Sequence, residues 1–511
     1  MKIPSLSLHS SFTPWIALML AAGFFLNLWG PALFDLDEGA FSAATMEMLL
    51  RQDFITTYLN GLQRFDKPIL IYWLQAFSTG IFGVDEFFYR LPSAIAASIW
   101  AVSLYRFAQP RLGEAEARAA FIFMVSAVGV SVIGRAATAD ALLNLWVALA
   151  CMDGYRAAVE KDSKAGLRAY IWIGLGLLTK GPVAALVPFA TLSLFAFAMR
   201  DGPSWIRLAI KPLGWLITSV IALPWYFAEY VDQGQLFIDG FFLTHNLGRF
   251  TETMESHGGT PFYYIPGILL VTLPFAVWLV RSLVSIREVG RNSLTTWCWC
   301  WFGFVFVLFS FSSTQLPHYV LYGSTPLFLL MSQYLSKVPL RASLLPALVL
   351  PMLFLIIPLI APGLVDPTDD IYVSEMLIDG IERLGPSYWL ILILGILAII
   401  GITMRARTHL PAILGIGLVH LIILGLAIVP AVAQIQQAPV KEAALIARDL
   451  DEPIVMWRTD MPSFTTYRQK ITPKVEPFSG DLVFTRVGRI ELERVDEVLY
   501  RNGGILLVRM R

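Results

Sequence analysis

The residues best suited to chemistry lie in one region near the N-terminus, directly after the first apolar segment. This region contains Asp35-Leu-Asp-Glu-Gly39 and, further along, Arg64-Phe-Asp-Lys-Pro68. Carboxylates beside a membrane-spanning segment are costly and are retained where a function requires them. A lysine in the same region supplies a positive charge that can hold an anion. We therefore predict a site in which one group accepts a proton and another binds an anion.

The composition places this region in a membrane protein. The chain has 511 residues, of which 56% are hydrophobic and 15% are charged. Soluble domains have ~45–50% apolar and ~25% charged residues. Apolar stretches of about twenty residues recur along the chain, which predicts an all-α polytopic membrane protein. The net charge of zero gives no electrostatic sign of nucleic-acid binding. The cysteines lie in apolar spans and predict no disulfide framework: Cys151, Cys298 and Cys300.

The apolar stretches predict thirteen spans, so the two termini lie on opposite sides of the membrane. Up to residue 430, the loops on one side carry more than twice as many Lys and Arg residues as the loops on the other. Because basic residues favour cytoplasmic loops, the N-terminus is predicted in the cytoplasm and the tail outside. The boundary at Thr179-Lys-Gly-Pro182 decides this orientation, since joining the spans beside it would reverse everything downstream. The predicted spans are residues 12–34, 91–109, 117–134, 139–155, 169–180, 183–199, 213–229, 263–280, 295–312, 319–335, 343–362, 387–404 and 410–430.

The first external loop and the tail have patterns of their own. Apolar residues from Phe41 to Leu49 recur at helical spacing, which predicts an amphipathic helix lying on the membrane. A second interfacial helix is predicted after Lys67-Pro68. The tail, residues 431–511, alternates a helical stretch with short β-rich runs and predicts a small extracytoplasmic α/β domain. The chain is thus divided into a transmembrane domain, residues 1–430, and this tail.

Several short motifs recur in a fixed order along residues 1–430. Together they resemble the membrane glycosyltransferases that use lipid-linked sugars, including protein O-mannosyltransferases and the bacterial transferase that adds aminoarabinose to lipid A. The resemblance implies a polytopic fold of the GT-C type. One departure is Asp66, where the aminoarabinose transferase usually has Glu before Lys-Pro. The motifs are Asp37-Glu38, Leu59-Asn-Gly61, Phe65-Asp-Lys-Pro68, Tyr72-Trp73, Arg90-Leu-Pro-Ser93, Arg135 with Asp140, Leu178-Thr-Lys-Gly-Pro182, His245-Asn with Arg249, Gly258 with Tyr263-Tyr264, and Ser312 with Leu316-Pro-His-Tyr319.

The resemblance implies that two carboxylates are catalytic. Asp37 would be the general base, and Asp140 would lie on the same side of the membrane and position the reacting groups. A structural alternative for Asp37 is to cap the helix that begins beside it, which Asp35 could do instead. For Asp140 the alternative is an ion pair with Arg135 at a helix start.

The resemblance further implies that Lys67, Arg249 and Tyr319 bind the donor phosphate. Their structural alternatives are snorkelling to headgroups, nonspecific lipid binding and an ordinary interfacial tyrosine, respectively. For Lys180, the sequence favours a topology signal or a structural contact. The histidines lack tight ligand spacing, which favours hydrogen bonding over metal binding. The additional candidates for substrate binding are Glu38, Arg135, His245 and Lys180, and the histidines are His245, His257 and His318.

These observations predict an inverting glycosyltransferase of the bacterial inner membrane, with its active site on the periplasmic side. As the resemblance implies, the donor would be a polyprenyl (undecaprenyl) phosphate sugar, and the acceptor a hydroxyl of lipid A, another lipopolysaccharide part, or a protein. No cofactor is certain, and the use of a divalent metal stays open. Two other classes remain as alternatives, a flippase or transporter for a lipid-linked sugar and a noncatalytic glycolipid-binding protein.

Overall fold

The protein is helical through most of its length. The computed structural model describes residues 12–248, 259–364 and 370–511. Up to residue 248 the helices are Thr13–Leu20, which continues as a π-helical turn Ala21–Phe25, then Asp37–Arg51, Leu70–Phe82, Glu86–Leu112, Glu114–Ser126, Val128–Arg135, Asp140–Val159, Ser163–Lys180, Val183–Met199, Gly202–Ala209, Pro212–Gln233, Gln235–Phe237 and the π-helix Ile238–Gly248.

The second half has more interrupted helices. Its α-helices and π-helical turn are Tyr264–Val271, Ala276–Ser282, Ser293–Ser310, Thr325–Ser332, Leu344–Leu364, Ile371–Glu382, Pro386–Arg405, His409–Ile423, Leu424–Ile428 (π), Val429–Gln436, Ala438–Arg448 and Ser463–Arg468. Its 3-10 turns are Leu283–Glu288, Pro317–Gly323, Leu335–Lys337, Leu340–Ser343 and Leu492–Arg494.

Each predicted span contains helix, but the count of thirteen spans is not confirmed. Among the described residues, six helices are long and apolar enough to cross a membrane, or seven if one pair bent by 61° is counted as a span. Hydropathy does not reveal breaks within an apolar stretch, which explains the difference. The interval 319–335, for example, contains only the eight-residue helix Thr325–Ser332, about 12 Å long against a hydrocarbon core of about 30 Å. The predicted boundary at residues 179–182 is confirmed, since one helix ends at Lys180 and the next begins at Val183.

The loop predicted to be external, after the first span, folds into two helices joined by a hairpin. The predicted helices are present as Asp37–Arg51, here called the loop helix, and Leu70–Phe82. Between them, β1 (Tyr58–Leu59) pairs antiparallel with β2 (Leu62–Gln63). The turn residues have φ of +53° at position 60 and +85° at position 61. A two-residue hairpin turn needs positive φ at both positions, which the Asn-Gly sequence accommodates.

The loop helix is enclosed by protein, in contrast to the predicted position on the membrane surface. Every residue from Glu38 to Met48 is buried. One side packs against Leu70–Phe82 and another against Ser463–Arg468, here called the tail helix. The amphipathic pattern could not show this cover, because the tail helix lies more than 400 residues further along the chain.

The tail contains a four-stranded mixed sheet. Its strands are β3 (Ile454–Met456), β4 (Leu482–Arg486), β5 (Val495–Asn502) and β6 (Ile505–Met510), in the spatial order β3-β4-β6-β5. β3 and β4 are parallel, and the other pairs are antiparallel. The inward side chains pack against Ala438–Arg448 and the tail helix, where the rings of Phe464 and Phe484 stack with centroids 3.9 Å apart.

Candidate functional site

A cavity of about 410 Å³ opens beside the first residue of the loop helix. One side of the cavity is charged and the other is apolar. The apolar wall comes from helices Val128–Arg135 and Leu344–Leu364 and from residues 424–432. Such a cavity can accept a lipid whose polar end meets ionisable groups. Its charged and ionisable lining residues are Asp37, Glu38, Arg90, Arg135, Asp140 and His318.

Asp37 is exposed to this cavity as the first residue of the loop helix. The N-cap residue of this helix is Leu36, and no side chain makes a capping hydrogen bond there. Neither Asp37 nor Asp35 therefore caps the helix. Within the described residues, no hydrogen bond or ion pair to the Asp37 carboxylate is found. The capping alternative for Asp37 is therefore wrong, and its carboxylate is available to a substrate.

Glu38, the next residue, is fully occupied by the protein. Its carboxylate binds the Arg90 guanidinium through two contacts of 2.7 and 2.8 Å. It also accepts from the backbone N–H of Phe34 at 3.0 Å and of Ala137 at 2.7 Å. Arg90 in turn donates to three backbone carbonyls of residues 28–32. The structure thus favours a structural function for Glu38 over the predicted substrate contact, because its acceptor sites are already filled.

Asp140 lies at the start of helix Asp140–Val159 and is bound by two donors. Its Oδ1 accepts from Lys180 Nζ at 2.6 Å and from the Tyr322 hydroxyl at 2.6 Å, and Lys180 also contacts that hydroxyl at 2.7 Å. The Nε2 atom of His318 lies 3.7 Å from the same carboxylate oxygen. The structural contact favoured for Lys180 is therefore confirmed, and it falls inside the candidate site.

The predicted alternative of an Arg135–Asp140 ion pair is wrong, since both residues are described and their partners are different. Arg135 donates from Nε to the carbonyl of Gly23 at 2.7 Å and from its terminal nitrogens to the carbonyls of Ala22 and Leu26. These carbonyls end the π-helical turn Ala21–Phe25. Arg135 stabilises the C-terminal end of that turn and still lines the cavity, so its positive charge is available there without a carboxylate partner.

His318 lies within electrostatic range of both carboxylates and of Lys67. Burial lowers its pKa below the ordinary value, and the charges of Asp140, Lys180, Asp37 and Lys67 all act on that pKa. These groups therefore lie within electrostatic range of one imidazole, although they come from distant parts of the chain. The ring of the predicted phosphate ligand, Tyr319, is 4.9 Å from His318 and 5.5 Å from Lys180 Nζ.

Tyr322 is the residue of this group that the sequence analysis missed. It lies on the same 3-10 turn as His318 and Tyr319, and its hydroxyl, not that of Tyr319, contacts Asp140. A signal was present in the spacing, because residues three apart eclipse on a 3-10 turn and so share a face. Position 322 falls three residues after position 319, inside an apolar stretch that was interpreted as a span.

Lys67 belongs to a second group of charges around Asp66. The Asp66 carboxylate is contacted by Lys67 Nζ at 2.5 Å, by an Arg64 guanidinium nitrogen at 3.0 Å and by His245 Nδ1 at 3.4 Å. This group adjoins the start of an apolar groove of about 800 Å³ that includes Phe237, since the Phe65 ring lies 6.1 Å from the Phe237 ring. Asp66 thus orients three basic side chains. The predicted phosphate ligand Arg249 lies outside the described residues, as does His257.

The tail helix holds the segment that precedes Asp37. Ser463 donates to Asp35 from its backbone N–H at 2.8 Å and from its hydroxyl at 2.6 Å. Nearby, the Tyr467 hydroxyl accepts from the Leu33 N–H at 2.7 Å and donates to Glu86 at 3.0 Å. Burial raises the pKa of Asp35 to about 7. From the sequence, Asp35 was expected at most to cap a helix, and nothing in the sequence indicated its contact with Ser463.

No group of three or more His, Cys, Asp or Glu side chains is placed to hold a metal ion among the described residues. The carboxylates of the cavity are instead bound by cations and backbone N–H groups, apart from Asp37. The described side chains therefore do not fit a metal centre.

The chain is similar to several known membrane glycosyltransferases. The family described as "Dolichyl-phosphate-mannose-protein mannosyltransferase" matches residues 66–227. An undecaprenyl phosphate-alpha-4-amino-4-deoxy-L-arabinose arabinosyl transferase of Serratia proteamaculans is 27% identical over 334 residues, which are 64% of this chain and 60% of that protein. A transferase with the same description from Aeromonas hydrophila is 30% identical over 256 residues, 48% of this chain and 45% of its own. The matched segment thus spans about 60% or less of these two relatives.

The solved structures extend the similarity to nearly the whole chain. The crystal structure of ArnT from Cupriavidus metallidurans bound to undecaprenyl phosphate superposes with a TM-score of 0.83 at 19% identity and covers 98% of both chains. An archaeal oligosaccharyltransferase from Archaeoglobus fulgidus superposes with a TM-score of 0.53 at 11% identity, over 95% of this chain and 70% of its own. At these identities the structures show the fold alone. The predicted resemblance to membrane glycosyltransferases that use polyprenyl-phosphate sugars is confirmed.

Proposed function

We propose that this chain is a membrane glycosyltransferase. It moves a sugar from a polyprenyl phosphate donor, undecaprenyl phosphate in its bacterial form, to a hydroxyl of lipid A or another acceptor of the cell envelope. The observation that carries the proposal is the cavity that Asp37 and Asp140 share. It combines a carboxylate that has no partner among the described residues, two fixed arginines and an apolar wall. The descriptions of the relatives support the donor and the reaction class.

The reaction needs a base on one side of the anomeric carbon and a charge clamp on the other. The acceptor hydroxyl oxygen forms a bond to that carbon while the bond from the carbon to the phosphate oxygen breaks. Asp37 takes the hydroxyl proton, and the electron pair of the broken bond stays on polyprenyl phosphate. Attack in line inverts the configuration at the carbon. The carrier phosphate ester already supplies the activation, so no nucleotide is needed.

The leaving phosphate is stabilised by cations of the Asp66 group. Lys67 Nζ lies 2.5 Å from the Asp66 carboxylate and can donate a further hydrogen bond to an incoming phosphate. Arg249 follows in sequence directly after the π-helix Ile238–Gly248, whose residues line the apolar groove. That groove would hold the first isoprene units. A positive charge placed where negative charge develops lowers the barrier, because it needs no rearrangement during the reaction.

Asp140 acts as a positioning residue in this proposal. Its carboxylate fixes Lys180 and Tyr322, and through them the turn that carries His318 and Tyr319. The Asp140 carboxylate already accepts hydrogen bonds from Lys180 and Tyr322, which makes it poorly suited to accept a proton from a substrate. The same arrangement leaves Arg135 facing the cavity as a further candidate for contact with the acceptor.

We place the site on the periplasmic face of the bacterial inner membrane, with residues 431–511 forming an extracytoplasmic domain. The asymmetry of basic residues between loops supports this orientation. The contact of the tail helix with the loop helix requires the tail and the first loop to lie on one side of the membrane. A reporter that is active only outside the cytoplasm should therefore be active when fused after Arg511.

The test is transfer by purified protein from a synthetic polyprenyl phosphate sugar to extracted lipid A. Asp37→Asn keeps the size of the side chain and removes the base, so turnover should fall by ~10²–10⁴ while donor binding persists. Asp496→Asn, an exposed change of the same charge on β5, is the matched control. Near-normal transfer by Asp37→Asn would refute the assignment of the base. Failure of wild type to form any transfer product would refute the enzymatic function.

A further inference from the structure

A second polar cleft lies between the tail sheet and the loop that carries Asp37. It measures about 610 Å³ and is lined at the end of β3 by Trp457, Arg458 and Thr459. The opposite side includes Leu36, half of whose side chain is exposed. Leu36 directly precedes Asp37, which lines the cavity of the proposed active site. The two spaces are thus lined by consecutive residues, whose Cα atoms are about 3.8 Å apart.

The cleft carries an excess of positive charge. Arg458 and Arg486 both line it, and neither has a carboxylate partner within the described residues. Each guanidinium instead lies over an aromatic ring, at 5.1 Å from the centre of Trp457 and at 4.9 Å from that of Tyr372, respectively. A guanidinium stacked on a ring keeps the donors along its edge free for an oxyanion.

The remaining charges in the cleft cancel each other. Lys474 and Asp460, which both line it, form an ion pair. Asp460 also faces the buried Asp35, which the tail helix holds through Ser463. The cleft therefore presents two arginines without an opposing charge, next to a loop that is fixed in place.

The backbone at Arg458 gives independent support for a binding function. Arg458 has a φ of +50°, in the left-handed region that costs an ordinary residue ~1–2 kcal/mol. It neither follows a helix nor is an asparagine, unlike the other non-glycine residues of the described chain with positive φ. Three of those directly follow a helix, one lies two residues after a helix end, and two are asparagines: Gln52, Arg200 and Gln469, then Lys161, and Asn27 and Asn60. Unfavourable backbone of this kind concentrates at ligand sites, where it directs a side chain.

We propose that this cleft binds an anionic group, a phosphate or a carboxylate, on the headgroup of the acceptor lipid while the reacting hydroxyl of the same molecule reaches Asp37. The proposal rests on the glycosyltransferase function above and adds that its acceptor is a charged glycolipid. Arg458 and Arg486 select an acceptor with an anion beside the hydroxyl that is modified.

The experiment measures steady-state transfer by the full chain in lipid nanodiscs, with lipid A as the acceptor. The double variant Arg458→Gln/Arg486→Gln should raise the KM for lipid A by about tenfold, a value reduced for the partial exposure of both arginines. The kcat at saturating lipid A and the KM for the donor should stay near wild type. Arg489→Gln is the matched control. Arg489 is exposed on the β4–β5 connection, three residues after Arg486, and does not line the cleft. An unchanged KM in the double variant overturns the proposal.

Two further measurements separate this proposal from the function on which it rests. Lipid A bound to donor-free protein, counted by native mass spectrometry, tests the cleft without turnover, and the double variant should bind less. Equal binding by the double variant and the control overturns the cleft even if transfer is observed. Inorganic phosphate tests the anion chemistry of the cleft. It should displace lipid A from wild type more readily than from the double variant, and equal displacement from both overturns the proposal.

Discussion

Replacing Glu38 by glutamine should destabilise the protein and leave its substrate contacts unaffected. The Glu38 carboxylate is 96% buried and is bound by two contacts to Arg90 and by two backbone N–H groups. Glutamine keeps the size, but its amide nitrogen faces donors in place of one carboxylate oxygen. It also leaves Arg90 as a buried cation whose remaining partners are carbonyl oxygens.

Removing one member of a buried ion pair typically costs ~3–5 kcal/mol. Because Arg90 keeps its three carbonyl acceptors, we expect about 3 kcal/mol, at the lower end of that range. The unfolding entropy of ~2.1 cal/mol/K per residue, applied to 511 residues, converts this to a Tm lower by about 3 °C. The measurement is the fraction of monodisperse protein that remains after heating in detergent.

The control is Glu288→Gln, an exposed glutamate at the end of the 3-10 turn Leu283–Glu288. At a temperature where Glu38→Gln is folded, the KM values of Glu38→Gln for donor and acceptor should equal those of wild type. An unchanged Tm together with a raised KM would refute the reasoning. It would return Glu38 to the substrate-binding function that the sequence analysis predicted.

The remaining predictions concern the other fixed groups of the site. Lys180→Met should lower transfer at least tenfold, because it removes one of the two close donors to the buried Asp140. The control, Lys211→Met at the start of helix Pro212–Gln233, should have no effect on transfer. Equal activity of the two variants would contradict the positioning function of Asp140. The pKa of Asp35 is raised from 3.8 to about 7, so the protonated form favours the folded state. Its contribution to stability should be complete below about pH 4 and be lost as the pH rises towards 7. The difference in Tm between wild type and Asp35→Asn should follow that window, and a difference that does not vary with pH would show that Asp35 does not titrate there.

The sequence was sufficient to predict the helices and the membrane class, because both follow from apolar periodicity within short stretches. The two helices of the first loop and the break after Lys180 were found in this way. The resemblance identified Asp37, Asp140 and Lys67 as a group, and the structure brings all three around His318.

The partners of those residues could not be predicted, since each contact joins distant parts of the chain. Lys180 and Tyr322 reach Asp140 across 40 and 182 residues, and Ser463 reaches Asp35 across 428. Nothing local distinguishes such a partner from a residue that only packs in a span. The same limit explains the span count, because breaks in an apolar stretch are decided by the helices that surround it.

Three carboxylates within four positions therefore differ in function, and their partners distinguish them. Asp35 is bound by Ser463 and Glu38 is bound by Arg90, and each holds one end of the segment around the start of the loop helix. Asp37, between them, has no donor within the described residues and lines the cavity. In the proposed mechanism Asp37 is therefore the carboxylate that can accept the proton of a substrate hydroxyl. Its two neighbours hold the backbone that positions it, and a base held in place needs less rearrangement in the transition state.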